Sequence, residues 1–287
     1  MKIAPSKSIQ RCKPILGTYV EVSLTGRVPE SELIQISEDL FKELERIHNL
    51  MSFHDEGSEL SLINQNAHQE KVLISADTYA VLNQAIEMSK LSDGFYDVTI
   101  ASAMIDAELL PNHIDTKFHT GNWSDIELTQ SHIYFKKPLA VDLGGIAKGY
   151  AVDCALALCP RSIDATINAG GDIRMNQWLQ KSVTIRMPLD GFMIGLEIPM
   201  EASSVATSGS YFHTSANPIL SPYSKESIPE ENSVTVFAPN CMIADALTKV
   251  VFLAPLAREI LDHLKAKAYI SNDEGELMEF QPVKKND

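Results

Sequence analysis

Cysteine and tryptophan are both scarce in this chain of 287 residues, which has four of the first and two of the second. Cys12, Cys154, Cys159 and Cys241 contain no C-x-x-C pair, and Cys154 and Cys159 have apolar neighbours in a helical pattern. Free, buried thiols fit this pattern better than a zinc site or a disulfide framework. No apolar run reaches the roughly 18 residues that a membrane-spanning helix needs. Basic charge is also short: 24 Lys and Arg face 38 Asp and Glu, a formal net charge of −14. A free nucleic-acid binder would carry a basic stripe, and none is present. The acidic excess reads as solubility. Residues 1–11 contain lysines but no apolar core of a secretory signal. The expected compartment is therefore the cytoplasm, or the periplasm if a leader has been removed.

Several catalytic signatures are missing as well. The eight histidines show no H-E-x-x-H or other metal spacing, and no G-x-S-x-G elbow occurs. These absences remove support for a histidine metal site and for a hydrolase triad. Without a G-x-G-x-x-G fingerprint, a nicotinamide-dependent oxidoreductase also lacks support.

What is present is ordinary globular material, 45% apolar and 22% charged. A strand is expected over residues 15–24, entered through Gly17. Ser31 should cap a long helix to about Met51, with Leu33, Ile36, Leu40, Leu44, Ile47 and Leu50 on its apolar face. A short helix near 58–64 and a longer one over 76–91 follow, the latter capped by Ser75 and stopped at Gly94. Residues 126–128 and 133–135 read as a hairpin, and a helix ends before Pro160. Strands are expected at 165–168, 182–187, 193–198 and 234–238, with a Pro/Ser-rich loop over 217–231. Helices at 242–253 and 257–266 precede a last hairpin. Blocks of helices and strands without a repeat or Gly/Ser linker predict an α+β fold of mixed or antiparallel sheets with packed helices.

The run DLGGIAKG over 142–149 is the strongest chemical signal. Gly144 and Gly145 allow close backbone approach, the following helix N-terminus favours an anion, and Lys148 in its first turn could reach a phosphate. Asp142 could accept hydrogen bonds from a ring or sugar. A second pair, Gly170 and Gly171, precedes Asp172, and Thr207 to Gly209 reads as a third small polar loop. Three such loops favour a phosphate-rich ligand, although each alone is also an ordinary turn. Phe95 and Tyr96 beside Asp97 suggest a wall for a flat heterocycle, or simply core aromatics after a helix stop. Asp245 and Thr248 share a helix face and suit a hard cation such as Mg²⁺, or a helix-dipole contact. His213 lies beside Tyr211 and Phe212 and reads as a packed or solvated residue sooner than a functional one.

Taken together, these motifs resemble the FAD:protein FMN transferase (ApbE) family, and in the family's order. They are LGT at 16–18, Ser52 with SELSLIN at 58–64, DGFYDVT at 93–99, DLGGIAKGYAVD at 142–153 with NAGGD at 168–172, TSG at 207–209, and SVTV at 233–236 with ADAL at 244–247. The resemblance spans residues 11–253. It implies an α+β fold of duplicated T-fold-like halves, as one domain over 1–287 made of two packed lobes. It also implies an enzyme that uses FAD and Mg²⁺ to move FMN onto a Thr or Ser hydroxyl of a target flavoprotein, releasing AMP. Leu16, Phe95, Tyr96, Asp97, Asp142 and Lys148 match FAD-contacting positions, and Gly144, Gly170, Gly171 and Ile219 are grouped with them. Gly145 matches a carbonyl donor to the metal and Asp245 its carboxylate, with Thr248 as a neighbouring ligand. Lys148, Asp245 and His213 are the catalytic candidates, and Asp172 is a further candidate base. The sequence departs from the family at Leu16 (a Met elsewhere) and at Lys249, which stands where a Thr is usual. It departs again at 218–225, where Pro218, Ser221 and Lys225 replace a His, an Asp and a Gly. The departures keep two alternatives open: a flavin-binding protein without transfer activity, and an FAD pyrophosphatase.

Overall fold

A computed structural model describes residues 5–114, 120–189, 192–209, 219–228, 233–272 and 274–280. The chain opens on a hairpin, β1 (Lys7–Ile15) and β2 (Thr18–Gly26), where a single strand over 15–24 was expected. Leu16 and Gly17 both take positive φ, 59° and 70°, and reverse the chain in a two-residue turn. Lys7, Arg11, Lys13 and Pro14 break the alternation of β1. They are tolerated because β1 is an edge strand.

Helix α1 (Glu30–Met51) buries Leu33, Leu40, Phe41, Leu44, Ile47 and Met51, while Ile36 and Leu50 are only partly covered. It starts one residue before the expected cap, Ser31. Pro29 holds that place, no side chain caps it, and Glu30 and Glu32 in the first turn complement the positive end of the helix dipole. Helix α2 (Glu59–Asn66) and helix α3 (Ala76–Leu91) are capped by Ser58 and Ser75, which accept from Ser61 N and Thr78 N. Between them lies β3 (Val72–Leu73), and after α3 comes α4 (Ala101–Asp106), unforeseen because its six residues are too few to show a period. Strands β4 (Ile126–Leu128) and β5 (His132–Phe135) form the expected hairpin, in a small sheet with β3.

The second part of the chain runs through α5 (Ala147–Ala157), β6 (Asp164–Ala169), β7 (Asp172–Met175), β8 (Ser182–Leu189) and β9 (Phe192–Pro199). It continues with β10 (Ser204–Gly209), β11 (Ser233–Ala238), α6 (Cys241–Leu253), α7 (Ala257–His263), β12 (Lys267–Ser271) and β13 (Leu277–Glu279). Among the described residues, eight strands form one antiparallel sheet in the order β1-β2-β6-β7-β10-β11-β12-β13, and β8 and β9 form a separate ribbon. Connectivity repeats within that sheet. Strands β1 and β2, helices α1 and α5, and strands β6 and β7 trace a ββααββ path, with α2 to β5 inserted between the helices. Strands β10 and β11, helices α6 and α7, and strands β12 and β13 trace it again. The fold is thus α+β with antiparallel sheets, as expected.

The two paths meet at a seam, where β7 pairs with β10 (Val205 opposite Ile173). Helices α5 and α6 adjoin there. A Cβ on Gly149 would stand 2.3 Å from the Cys241 carbonyl oxygen, so only glycine permits this approach. Asp153 of α5 accepts from Cys241 N and Met242 N, each at 2.9 Å, and fixes where α6 begins. Buried Asn64 donates to Val141 O at 2.9 Å and accepts from Val141 N at 2.8 Å, pinning the segment that leads into Asp142.

Candidate active site

A cavity of about 1100 Å³ lies at this seam. The Gly144–Gly145 turn that leads into α5 and the Gly170–Gly171 turn between β6 and β7 both line it, with Leu16 from the β1–β2 turn. Gly170 and Gly171 take φ of 65° and 105°. Apolar walls come from Met51, Phe53, Tyr96, Ile100, Met104 and Leu110. Val183 and Ile185 of the ribbon, and Ile219 and Pro222 of the long loop, complete the lining.

The polar wall is organised by one buried carboxylate. Lys148 of α5 places its Nζ 3.0 Å from Asp172 Oδ2 and 3.2 Å from Asp245 Oδ2, and donates to Gly144 O at 3.3 Å. Lys249 of α6 lies on the other oxygen, with its Nζ 2.5 Å from Asp245 Oδ1. Its remaining protons go to Asp245 O and Ser208 Oγ, both at 3.2 Å. Gly149 N also donates to Asp245 Oδ2, at 3.4 Å. Two ammonium groups therefore straddle Asp245 and screen it from the cavity, which Lys148, Lys249 and Asp172 line and Asp245 does not.

Titration follows from this arrangement. Burial raises the Asp245 pKa, but the Lys148 and Lys249 charges outweigh it and hold it below the ordinary carboxylate value. Burial and the nearby Asp245 charge push Asp172 up to about 6, against the pull of the lysines. Burial also opposes the Lys148 charge, but the carboxylates of Asp172 and Asp245 dominate and raise its pKa, so it stays cationic. Burial raises Asp142 and Asp97 too.

Most of the residues singled out in the sequence meet here, with corrections. Leu16, Tyr96, Asp97, Asp142, Gly144, Gly145, Lys148, Gly170, Gly171 and Ile219 all line the one cavity. Phe95 does not, because its ring packs edge-on against Tyr223 with centroids 4.8 Å apart. Asp97 spends its oxygens locally, accepting from Thr99 N at 2.8 Å and Trp123 N at 3.4 Å, and so starts a short 3-10 turn at Val98–Ile100. Asp142 likewise accepts from Gly144 N, at 3.0 Å. The segment at 207–209 is not a loop but the end of β10, paired with Ser233 to Thr235. Thr248 is fully buried outside the cavity. Its hydroxyl donates to Asp245 O at 2.7 Å and lies 2.8 Å from Ser208 Oγ. His213 and Pro218 fall outside the described residues. Sequence reasoning gave no role to His54 or the ribbon, both of which line the cavity. Only the position of His54 directly after α1 and Phe53 hints at it.

The residues expected to hold Mg²⁺ do not fit it in this arrangement. Both Asp245 oxygens face ammonium groups, the Thr248 hydroxyl is directed at Asp245 O, and the Lys249 stem covers Gly145. A Cβ on Gly145 would lie 3.2 Å from Lys249 Cε. Among the described residues, no group of three or more His, Cys, Asp or Glu could hold a metal ion. None of their helices is long and apolar enough to cross a membrane.

Fold and site define an α+β protein with paired ββααββ paths and a glycine-turned cavity at their seam. The chain belongs to the ApbE family, whose model matches residues 16–270. It is 26% identical over 268 residues to the FAD:protein FMN transferase of Vibrio cholerae serotype O1, covering 85% of this chain and 80% of that protein. It is 24% identical to the enzyme of the same name from Treponema pallidum, covering 86% and 79%. The solved flavin transferase ApbE from Vibrio cholerae superposes with a TM-score of 0.82 at 22% identity, over 97% of this chain and 98% of that one. The ApbE protein of Thermotoga maritima gives 0.79 at 24% identity, covering 96% and 97%.

Proposed function

We propose that this chain binds FAD in the seam cavity and transfers its FMN half to a Thr or Ser hydroxyl of a target flavoprotein, with release of AMP. The observation that carries the reading is the convergence of two glycine turns, two lysine ammonium groups and an apolar wall on one cavity. It agrees with the activity named for the curated relatives. The apolar walls, with Tyr96, suit a flat heterocycle, and the backbone at Gly144, Gly145, Gly170 and Gly171 suits a diphosphate. Reading the chain as one domain of two packed lobes belongs to the same proposal, because the sheet runs unbroken across the seam.

In the transfer, the acceptor oxygen attacks the FMN phosphorus and the bond from that phosphorus to the bridging oxygen breaks. AMP leaves with the electron pair. Lys148 and Lys249 hold positive charge where that negative charge builds. The acceptor proton must go to a base. Asp172 lines the cavity with a pKa of about 6, so it is an available acceptor at neutral pH. No step needs Mg²⁺ on these residues.

Incubation with FAD and a flavoprotein acceptor, followed by intact-mass measurement, tests the reading. A mass gain equal to FMN on the acceptor is expected. Free FMN and AMP with an unmodified acceptor would instead identify an FAD pyrophosphatase, and unchanged FAD a binding protein.

A further inference from the structure

Lys249 occupies an unusual place for a lysine on a cavity wall. Its ammonium has three donors and no acceptor, and three oxygens surround it: Asp245 Oδ1 at 2.5 Å, Asp245 O at 3.2 Å and Ser208 Oγ at 3.2 Å. One carboxylate, one carbonyl and one hydroxyl are the oxygen types that a hard cation takes. Thr248 orders that shell, since its hydroxyl donates to Asp245 O and contacts Ser208 Oγ. The Lys249 stem lies over Gly145, where any side chain would crowd it. With every proton engaged, Lys249 has little freedom to reorient toward a ligand and acts as a fixed positive charge. A divalent ion brought to the same oxygens would face that charge at close range in a site of low dielectric.

We infer that Lys249 is a built-in cation that stands in place of Mg²⁺ beside Asp245 and Gly145, so that this site neutralises a diphosphate without a divalent ion. The inference deepens the FAD reading and rests on it for the identity of the ligand. The cation position itself can be tested without flavin. Lys249→Thr shortens the side chain and empties the oxygen shell, and Lys249→Gln removes the charge while keeping most of the length.

The probe is Mn²⁺, followed by electron paramagnetic resonance on flavin-free protein. Wild type is expected to leave Mn²⁺ free, and Lys249→Thr to bind one ion at the vacated shell. In parallel, FAD affinity is measured by flavin fluorescence in EDTA and in Mg²⁺. The wild-type dissociation constant should change less than about twofold between the two, whereas that of Lys249→Thr should weaken about tenfold or more in EDTA and recover in Mg²⁺. Lys249→Gln should weaken FAD binding in both conditions. Stoichiometric Mn²⁺ binding by wild type would overturn the inference, and this arm needs no variant to fold. So would a wild-type FAD affinity that collapses in EDTA, or a folded Lys249→Thr that binds no Mn²⁺. If wild type binds FAD in neither condition, the FAD reading fails, while the Mn²⁺ arms still decide what occupies the cation position.

Discussion

Asp172 and Asp245 share one lysine yet titrate in opposite directions, and the sign of each has a consequence. The Asp172 pKa rises from 3.8 to about 6 on folding, so between those values the folded chain holds a proton that the unfolded chain has lost. Its contribution to stability therefore declines as pH climbs from about 4 to about 6 and is level above. The Asp245 pKa is depressed, so its contribution is present above the ordinary carboxylate range and is lost as pH falls below it. Asp172→Asn should remove the first of these trends, a relative gain over wild type of at most about 3 kcal/mol at neutral pH. Urea unfolding of both proteins from pH 4 to pH 7 checks this, and a difference between them that does not vary with pH would refute it. If Asp172 takes the acceptor proton, the same variant loses transfer while keeping FAD affinity. Asn64 acts on the site from a distance. Asn64→Ala leaves Val141 N and O buried without partners and should cost about 2 kcal/mol, read as a lower Tm.

Among the elements, the α5–α6 contact decides whether the two lysines can reach one carboxylate. Lys148 and Gly149 are adjacent, and Gly149 sits against the first turn of α6, which carries Asp245 and Lys249 further along. Gly149→Ala drives a methyl group into the Cys241 backbone, so the helices must part. A loss of about 1–3 kcal/mol is expected, with weakened FAD binding even where the variant stays folded. Thermal unfolding together with FAD titration would expose an error if both remained at wild-type values. Apart from the six-residue α4, the helices were legible in the sequence. Ser75 caps α3 where a small polar residue precedes an apolar period, and α1 shows its stripe over many turns. Strands β1, β7 and β10 were not legible. Charged and polar residues hide the period of β1, β7 has only four residues, and the polar end of β10 imitates a loop.

For the whole molecule, the seam between two ββααββ paths provides one cavity at a junction that neither path forms alone. A ligand spanning that junction binds only the folded chain, so FAD should raise Tm with increasing concentration and NAD should not. Equal shifts from both nucleotides would argue against a flavin-selective pocket. Most of the site residues that the family motifs singled out fall on the cavity, because glycine pairs and a helix-start lysine have few other uses when they occur together. They misplaced Phe95 and Thr248, whose side-chain directions depend on packing against Tyr223 and Ser208. The sequence by itself determined the α+β class, the Ser75 cap and the glycine turns, since each depends on neighbours a few residues away. Tertiary structure alone decided that Lys148 and Asp245, 97 positions apart, share a contact and that Lys249 closes around the same carboxylate. Charge pairing at such separation depends on how two helices are set against one sheet, and no local pattern encodes that.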